Sequence, residues 1–484
     1  MPARSPLRSF AWLLIAASLG CSSLALSAND LAAAPEVRLP VAEIEAAIAR
    51  AKPEPLRYAV DHALGLDLRN GIWDEPSLGM ARWRLRLHSP GARTLSAQLE
   101  RLHLPAGATL WLSAADGGDR QGPLLPDADG GLWTPVVRAA SALLELWVPV
   151  EQRDAVSLHI AAAQHGYRNP FERTPAKGEF GDSGSCNINV ACSEGDRWRN
   201  EIRSTVLLTI SNSTLCSGTL VNNLRQDNRA LILTANHCGV RATNALATRA
   251  YFNVQKSSCG ASEDGSIAQN IAGLRFLARD ARSDFTLFEL ATRPPGSFNV
   301  HYAGWNADPA AVPQSGVGIH HPSGDDKKIS VYSSAVQRAD GTQIGGLLGG
   351  FTVDAWQVRW SRGTTEGGSS GSGLWNQNRQ LVGMLSGGSA SCTNLDGADF
   401  YGRFEQAWTA GSASNAQLKA HLDPDNSGCL TLAGRNPDSA ASGACGATPT
   451  EPESGGSGGG GGSPGAALLL ALLAAALRRH RRAA

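Results

Sequence analysis

Apolar and polar residues alternate in short runs along most of this chain, a period of two that predicts strands. One early stretch departs from it: VAEIEAAIAR (41–50) repeats its apolar positions at helical spacing. After it come WRLRLH (83–88), TLWLSA (109–114) and LLELWVPV (143–150), separated by Gly, Pro and Asp, a pattern that predicts a β-sandwich. From 186 to about 433 the runs shorten and the turns fill with Gly: VLLTI, GTLVNN, ALILTA, DFTLFEL, GVGIHH, WQVRW and QLVGMLS. Many short strands with few helical stretches predict an all-β pair of barrels. AQLKAHL (416–422) predicts a closing helix, and the polar, Pro/Gly-rich sequence beyond it predicts a linker.

The two ends carry export signals. Arg4 and Arg8 precede the apolar run 11–20, and small residues follow to Ala28, the layout of a secretory signal peptide. Cys21 follows Gly20 as in a lipoprotein signal, although Ser18 stands where such signals carry Leu; cleavage near Ser27 or Ala28 instead removes Cys21. At the far end a Gly-rich stretch (455–465), an apolar stretch (466–477) and RRHRR (478–482) follow one another. This order resembles the GlyGly-type tail cut by rhomboid-like sorting proteases, with its basic residues on the cytoplasmic side. The apolar part is shorter than the roughly 20 residues of a free-standing span, and the other reading is a permanent short anchor. The chain therefore divides into a signal peptide (1–28), an amino-terminal domain (29–180), a double-barrel domain (181–433), a linker (434–465) and a sorting tail (466–484). Signal peptidase and a rhomboid-like protease are its expected processing partners. The expected location is outside the cell, with transient anchoring in the inner membrane or retention at the surface.

Composition narrows the partners. With 484 residues and 42% apolar content the chain holds about two folded domains and its end segments. Basic and acidic residues balance at 43 each, so no overall field draws it to nucleic acid, and a monomer with a local site is expected. Without Cys21 the cysteines form an even set, Cys186, Cys192, Cys216, Cys238, Cys259, Cys392, Cys429 and Cys445, all beyond residue 180. In an exported chain that predicts disulfides, with the connectivity open. No close CxxC pair or Cys/His cluster has zinc spacing, so neither metal nor cofactor is expected.

Chemistry concentrates in three motifs. In LILTANHCG (231–239) an apolar strand ends at His237 followed at once by Cys238, and a Cys216–Cys238 bridge across a hairpin would fix that loop. Asp284, in SDFTLFEL, sits just ahead of a strand, where a buried carboxylate can hold one imidazole nitrogen and leave the other as a base. Ser370 lies in GGSSGSG (367–373), whose glycines let the backbone turn sharply and aim the amides of Gly368 and Ser370 at a substrate carbonyl. Each motif alone is ordinary. In the order His, Asp, Ser they predict a serine-nucleophile triad with an oxyanion hole. GDSGS (181–185) imitates a nucleophile motif, but Ser183 precedes His237 and has no complete domain ahead of it, so it is read as a polar turn. His62, His88, His103, His159 and His165 are isolated and read as structural. His320 and His321 are adjacent in a strand, point to opposite faces and are also read as structural.

These residues together resemble the bacterial lysyl endopeptidases over 181–422, where SGSCNINVACSEGD, GTLVNN, TANHCG, SDFTLFEL, GIHHP, GSSGS and YGRF fall in family order, with the preceding domain similar to their propeptide. The resemblance implies a chymotrypsin-like double barrel, a secreted zymogen, and an endopeptidase that cuts protein or peptide substrates after Lys, with Arg as a further possibility. It implies disulfides Cys186–Cys392, Cys192–Cys259 and Cys216–Cys238, leaving Cys429 with Cys445. It also carries over Asp399, in DGADFYGRF, as the floor of the specificity pocket, and Ser386, Gly387 and Gly388 as backbone facing the substrate strand. Three departures stand out. Ser369 replaces the Asp that latches the new amino terminus in animal trypsins. Ser386 stands where lysyl endopeptidases can carry a supporting His. The tryptophan that stacks near the catalytic His has no counterpart, Trp356 and Trp360 being read as strand core. The competing readings are an inactive peptide-binding homologue and a protease of other specificity.

Overall fold

The computed structural model describes residues 34–50, 56–124, 126, 130–168, 183–345, 350–439 and 445. The expected signal peptide, the segment joining the two domains, most of the linker and the sorting tail lie outside them. The described residues belong to one compact unit.

The amino-terminal half begins with helix Val41–Arg50, which buries Ile44 and carries Glu43 in its first turn and Arg50 in its last, the charge order a helix dipole favours. Two sheets follow. Met80–His88, Ser141–Pro149 and Thr109–Ala114 are neighbours in one, and Ala59–Asp67, Ser157–Gly166 and Thr94–His103 in the other. Alternate residues of each sheet face inward, so Trp83, Leu85 and Leu87 share a core with Leu95, Ala97 and Ile160. Two sheets around one core make a β-sandwich, as the alternation predicts.

In the second half, Thr205–Ile210, Arg249–Tyr251, Asn270–Asp280, Phe285–Leu290, Leu231–Ala235 and Thr214–Val221 pair in that order, and the last returns to the first. This closed six-stranded barrel has no free ladder around its circumference. A further strand, Leu56–Arg57 from the amino-terminal half, adds to one end of Thr214–Val221. A ten-stranded sheet contains Lys328–Tyr332, Gly316–His320, Gly373–Asn376, Leu381–Gly388, Asp399–Arg403, Phe351–Val358 and Gln337–Ile344, in that spatial order. Leu233 and Leu287 of the barrel and Ile319, Trp375 and Met384 of this sheet bury one another. Apolar contact thus fixes the two walls between which the site lies. Disulfides join Cys186 to Cys392, Cys192 to Cys259, Cys216 to Cys238 and Cys429 to Cys445.

The closing helix is shorter than its pattern predicts. A 3₁₀ turn, Ser414–Ala416, gives way to extended backbone at Gln417, and only Lys419–Leu422 is α-helical. The Leu418 amide bonds to the Ala407 carbonyl, which takes the chain out of helical pairing, and the Asp423 carboxylate accepts from the Ser427 amide in the turn that follows.

Candidate active site

Strand Leu231–Ala235 delivers His237 on a single tight turn that ends at Gly239, whose φ of 89° is costly for any residue with a Cβ. Asp284 immediately precedes strand Phe285–Leu290, is wholly buried, and has a φ of 49°. A non-glycine residue held in that region is strained, and here three hydrogen bonds hold it. The Asp284 carbonyl accepts from the Asn236 amide at 3.0 Å, Oδ1 accepts from the His237 amide at 2.9 Å, and Oδ2 lies 2.8 Å from His237 Nδ1. A carboxylate at Nδ1 places the proton there and leaves Nε2 as the basic nitrogen. Asp284 therefore orients both the backbone and the ring of His237.

One face of the imidazole is covered by Phe351, with ring centroids 5.1 Å apart and planes 22° from parallel. Sequence reasoning looked for a tryptophan here and missed this phenylalanine. Its signal in the sequence is faint, an aromatic residue just after the Gly-rich run GGLLGG (345–350).

Ser370 sits in a turn that its glycines make possible. Gly368 has a φ of 92° and Gly371 of 79°, and a Cβ on Gly371 would run into Thr234 and the Ser217 carbonyl. Hydrogen bonds pin the turn on several sides. The Ser217 amide donates to the Ser370 carbonyl at 2.8 Å, the Ser217 hydroxyl to the Gly368 carbonyl at 3.0 Å, and the Gly371 amide to the Leu385 carbonyl at 2.8 Å. Neither the Gly368 nor the Ser370 amide has a protein acceptor among the described residues, leaving two donors side by side. Ser369 is fully buried, and its hydroxyl lies 2.8 Å from His320 Nδ1. The residue that replaces the trypsin latch is thus tied down from within. Burial pushes the His320 imidazole down to about 3, so it stays neutral.

Ser370 and Asp399 line a common cavity of about 460 Å³, walled also by Thr365, Gly387, Gly388 and Ala390. Asp399 Oδ2 accepts from Trp360 Nε1 and from Thr365 Oγ1, each at 2.7 Å, whereas Oδ1 has no hydrogen-bond partner of good geometry. Burial raises the carboxyl to about 6, against the lowering effect of Trp360, Thr365 and the Ala390 amide. Trp360 packs in the core against Tyr332 and Tyr401, and its indole N–H supports the Asp399 carboxylate from there, while Trp356 is also core, its indole donating to the Val382 carbonyl. A Cβ on Gly388 would collide with the Asp399 carboxylate, and one on Gly387 with Ile344, so both glycines keep the cavity open. Ser386 is buried, and its hydroxyl has no hydrogen-bond partner among the described residues.

The remaining polar motifs have local partners. Ser183 of the imitation motif donates its hydroxyl to Asp325 at 2.7 Å, far along the chain from Ser370. His321 Nδ1 lies 2.9 Å from the Asp325 carbonyl, and His165 Nδ1 2.7 Å from Ser89 Oγ.

A profile of the family "Lysyl endopeptidase, C-terminal domain" matches residues 180–402. A Pseudomonas aeruginosa lysyl endopeptidase is 30% identical over 355 residues, 68% of this chain and 73% of that protein. Among solved structures, the active form of the Mycobacterium tuberculosis protease Rv3671c aligns over 51% of this chain and 93% of its own at 15% identity, with a TM-score of 0.31. A Glu endopeptidase aligns over 45% and 92% at 15% identity, with a TM-score of 0.30.

Proposed function

This chain belongs to the lysyl endopeptidase family and is a serine endopeptidase acting on peptide substrates, and from that premise we propose that it cleaves after Lys, and secondarily Arg, with Ser370, His237 and Asp284 as its triad. Ser370 Oγ attacks the scissile carbonyl carbon while His237 Nε2 takes its proton, and the imidazolium so formed is stabilised by Asp284. The carbonyl oxygen becomes an oxyanion between the amides of Gly368 and Ser370. Collapse breaks the C–N bond, the amine leaves with the proton from His237, and water releases the acyl group by the same steps in reverse.

The observation that carries this reading is the shared cavity of Ser370 and Asp399. A buried carboxylate with no ion-pair partner among the described residues favours a cation reaching down from the reacting carbonyl, and an apolar or acidic side chain would leave that charge unpaired. The amino-terminal domain is proposed as a propeptide, released near Lys177 after export, with the tail removed by a rhomboid-like protease. A peptide library cut by the mature enzyme is expected to show Lys before the scissile bond, with Arg second, and Asp399→Asn to lose most of that preference. Cleavage chiefly after apolar or acidic residues would refute the pocket assignment.

A further inference from the structure

Leu56 and Arg57 belong to the amino-terminal half, yet they pair antiparallel with Leu215 and Thr214 of the protease barrel. The Tyr58 amide continues the ladder, donating to the Ser213 carbonyl at 2.7 Å. Tyr58 itself is fully buried among Leu207, Leu215, Tyr251 and Val254, all barrel residues. On its other side the segment is braced by its own domain, through Tyr167 Oη to the Arg57 carbonyl at 2.8 Å and the Arg168 amide to the Tyr58 carbonyl at 3.2 Å. The barrel turn next to it is gripped in the same direction: Asn212 donates to the Thr134 carbonyl at 2.8 Å, and Gln164 bonds to both the Ser211 carbonyl and Asp61.

The position of this strand relative to Ser370 gives it a consequence. A Cβ built on Gly368 would lie 3.2 Å from Leu56 Cδ2, so the Leu56 side chain packs beside Gly368, whose amide is proposed for the oxyanion. Leu56 does not line the Asp399 cavity. Leu215 adjoins Cys216, whose bridge to Cys238 holds it near His237, so a chain that leaves the reacting carbonyl past Gly368 would run along Thr214–Leu215. An extended peptide adding to a sheet edge gains backbone hydrogen bonds whatever its sequence. Leu56 and Arg57 already hold those bonds.

We propose that Leu56–Tyr58 inhibits the precursor by strand addition, occupying the leaving-group side of the active site with Tyr58 as its anchor. This rests on the proposed roles of Ser370 and of the amino-terminal domain. It predicts a particular form of inhibition, in which peptides that extend beyond the scissile bond are excluded by a tethered competitor. Tethering at millimolar effective concentration makes the block about 100-fold for a strand that would bind as a separate peptide with a dissociation constant of about 10 μM.

The full chain carrying Lys177→Gln, with its mass checked before and after assay, keeps the two halves joined. Its rate on a quenched fluorogenic peptide with three residues after Lys is expected to be about 100-fold below that of the mature enzyme. Adding Leu56→Asp, which puts a charge on a half-buried side chain packed against the Tyr58 cluster, or Tyr58→Ala, is expected to restore most of that rate in the uncut chain. An uncut chain as fast as the mature enzyme would overturn the proposal. So would variants that stay blocked on the peptide while Ser370 reacts with a small fluorophosphonate and thermal melting shows them folded. Failure of the mature enzyme itself to react with fluorophosphonate would instead remove the catalytic reading on which the proposal stands.

Discussion

Asp399 is buried without an ion-pair partner among the described residues, and burial disfavours its charge in the folded protein. Its carboxyl is raised from 3.8 to about 6, so between those values the unfolded chain ionises while the folded one keeps its proton, and stability falls as pH rises. Above about pH 6 the ionised folded form is disfavoured by about 3 kcal/mol. Asp399→Asn is therefore expected to raise the melting temperature of the mature enzyme at pH 8 while removing its preference for Lys, an exchange of stability against function. The same carboxyl sets a pH signature. The ratio of kcat/KM for a Lys substrate to that for a neutral one should fall as pH drops through about 6, because protonation of His237 affects both substrates and cancels. In Asp399→Asn that ratio should be flat. Phe351 acts on the other side of the reaction, by stacking on His237. An aromatic contact of this kind contributes about 1 kcal/mol, so Phe351→Ala should lower kcat about fivefold with KM little changed, and Phe351→Tyr should recover most of it. An unchanged kcat in the alanine variant would remove Phe351 from the site.

The turn carrying Ser370 is built to hold its shape without an external latch. Ser369 bonds inward to His320, and Ser217 bonds to the carbonyls of Gly368 and of Ser370 itself. Ser369→Ala leaves buried His320 Nδ1 without its partner and should cost about 1–3 kcal/mol in denaturant unfolding of the mature enzyme. At this scale the sequence was informative where the signal is local. His237 at a strand end, Asp284 ahead of a strand and Ser370 in a Gly-rich turn each sit in a motif a few residues long. The strands themselves were legible for the same reason, from alternation over five to ten positions. The Trp360–Asp399 bond was not, because alternation reports only that Trp360 is buried, whereas its indole N–H meets a carboxylate 39 residues further along the chain. The helix expected over 416–422 failed because the Leu418 amide finds a partner in Ala407, outside its own segment. Leu56–Arg57 was invisible for a third reason. A two-residue strand has no period, and its partner lies in another domain.

At the scale of the whole molecule, the amino-terminal sandwich and the first barrel are joined by a strand, a buried tyrosine and a gripped turn. Release of that sandwich is the proposed activation step, and it calls for little change in the pocket, whose walls and nucleophile turn are already bonded. Amino-terminal sequencing of purified mature enzyme is expected to find a start between Gly178 and Gly181, and a start inside the sandwich would refute the propeptide boundary. The neutral overall balance of 43 basic and 43 acidic residues supplies no long-range steering, so the proposed selection for Lys rests on the Asp399 cavity. Everything in this account depends on Ser370 being the nucleophile. The most direct measurement is to react the mature enzyme with a fluorophosphonate, digest it, and map the modified peptide by mass spectrometry. The adduct is expected on Ser370 alone, and to vanish in a folded Ser370→Ala protein whose amide hydrolysis has dropped by about 10⁴-fold or more. An adduct on another serine, or a Ser370→Ala enzyme that still cuts peptides, would contradict it.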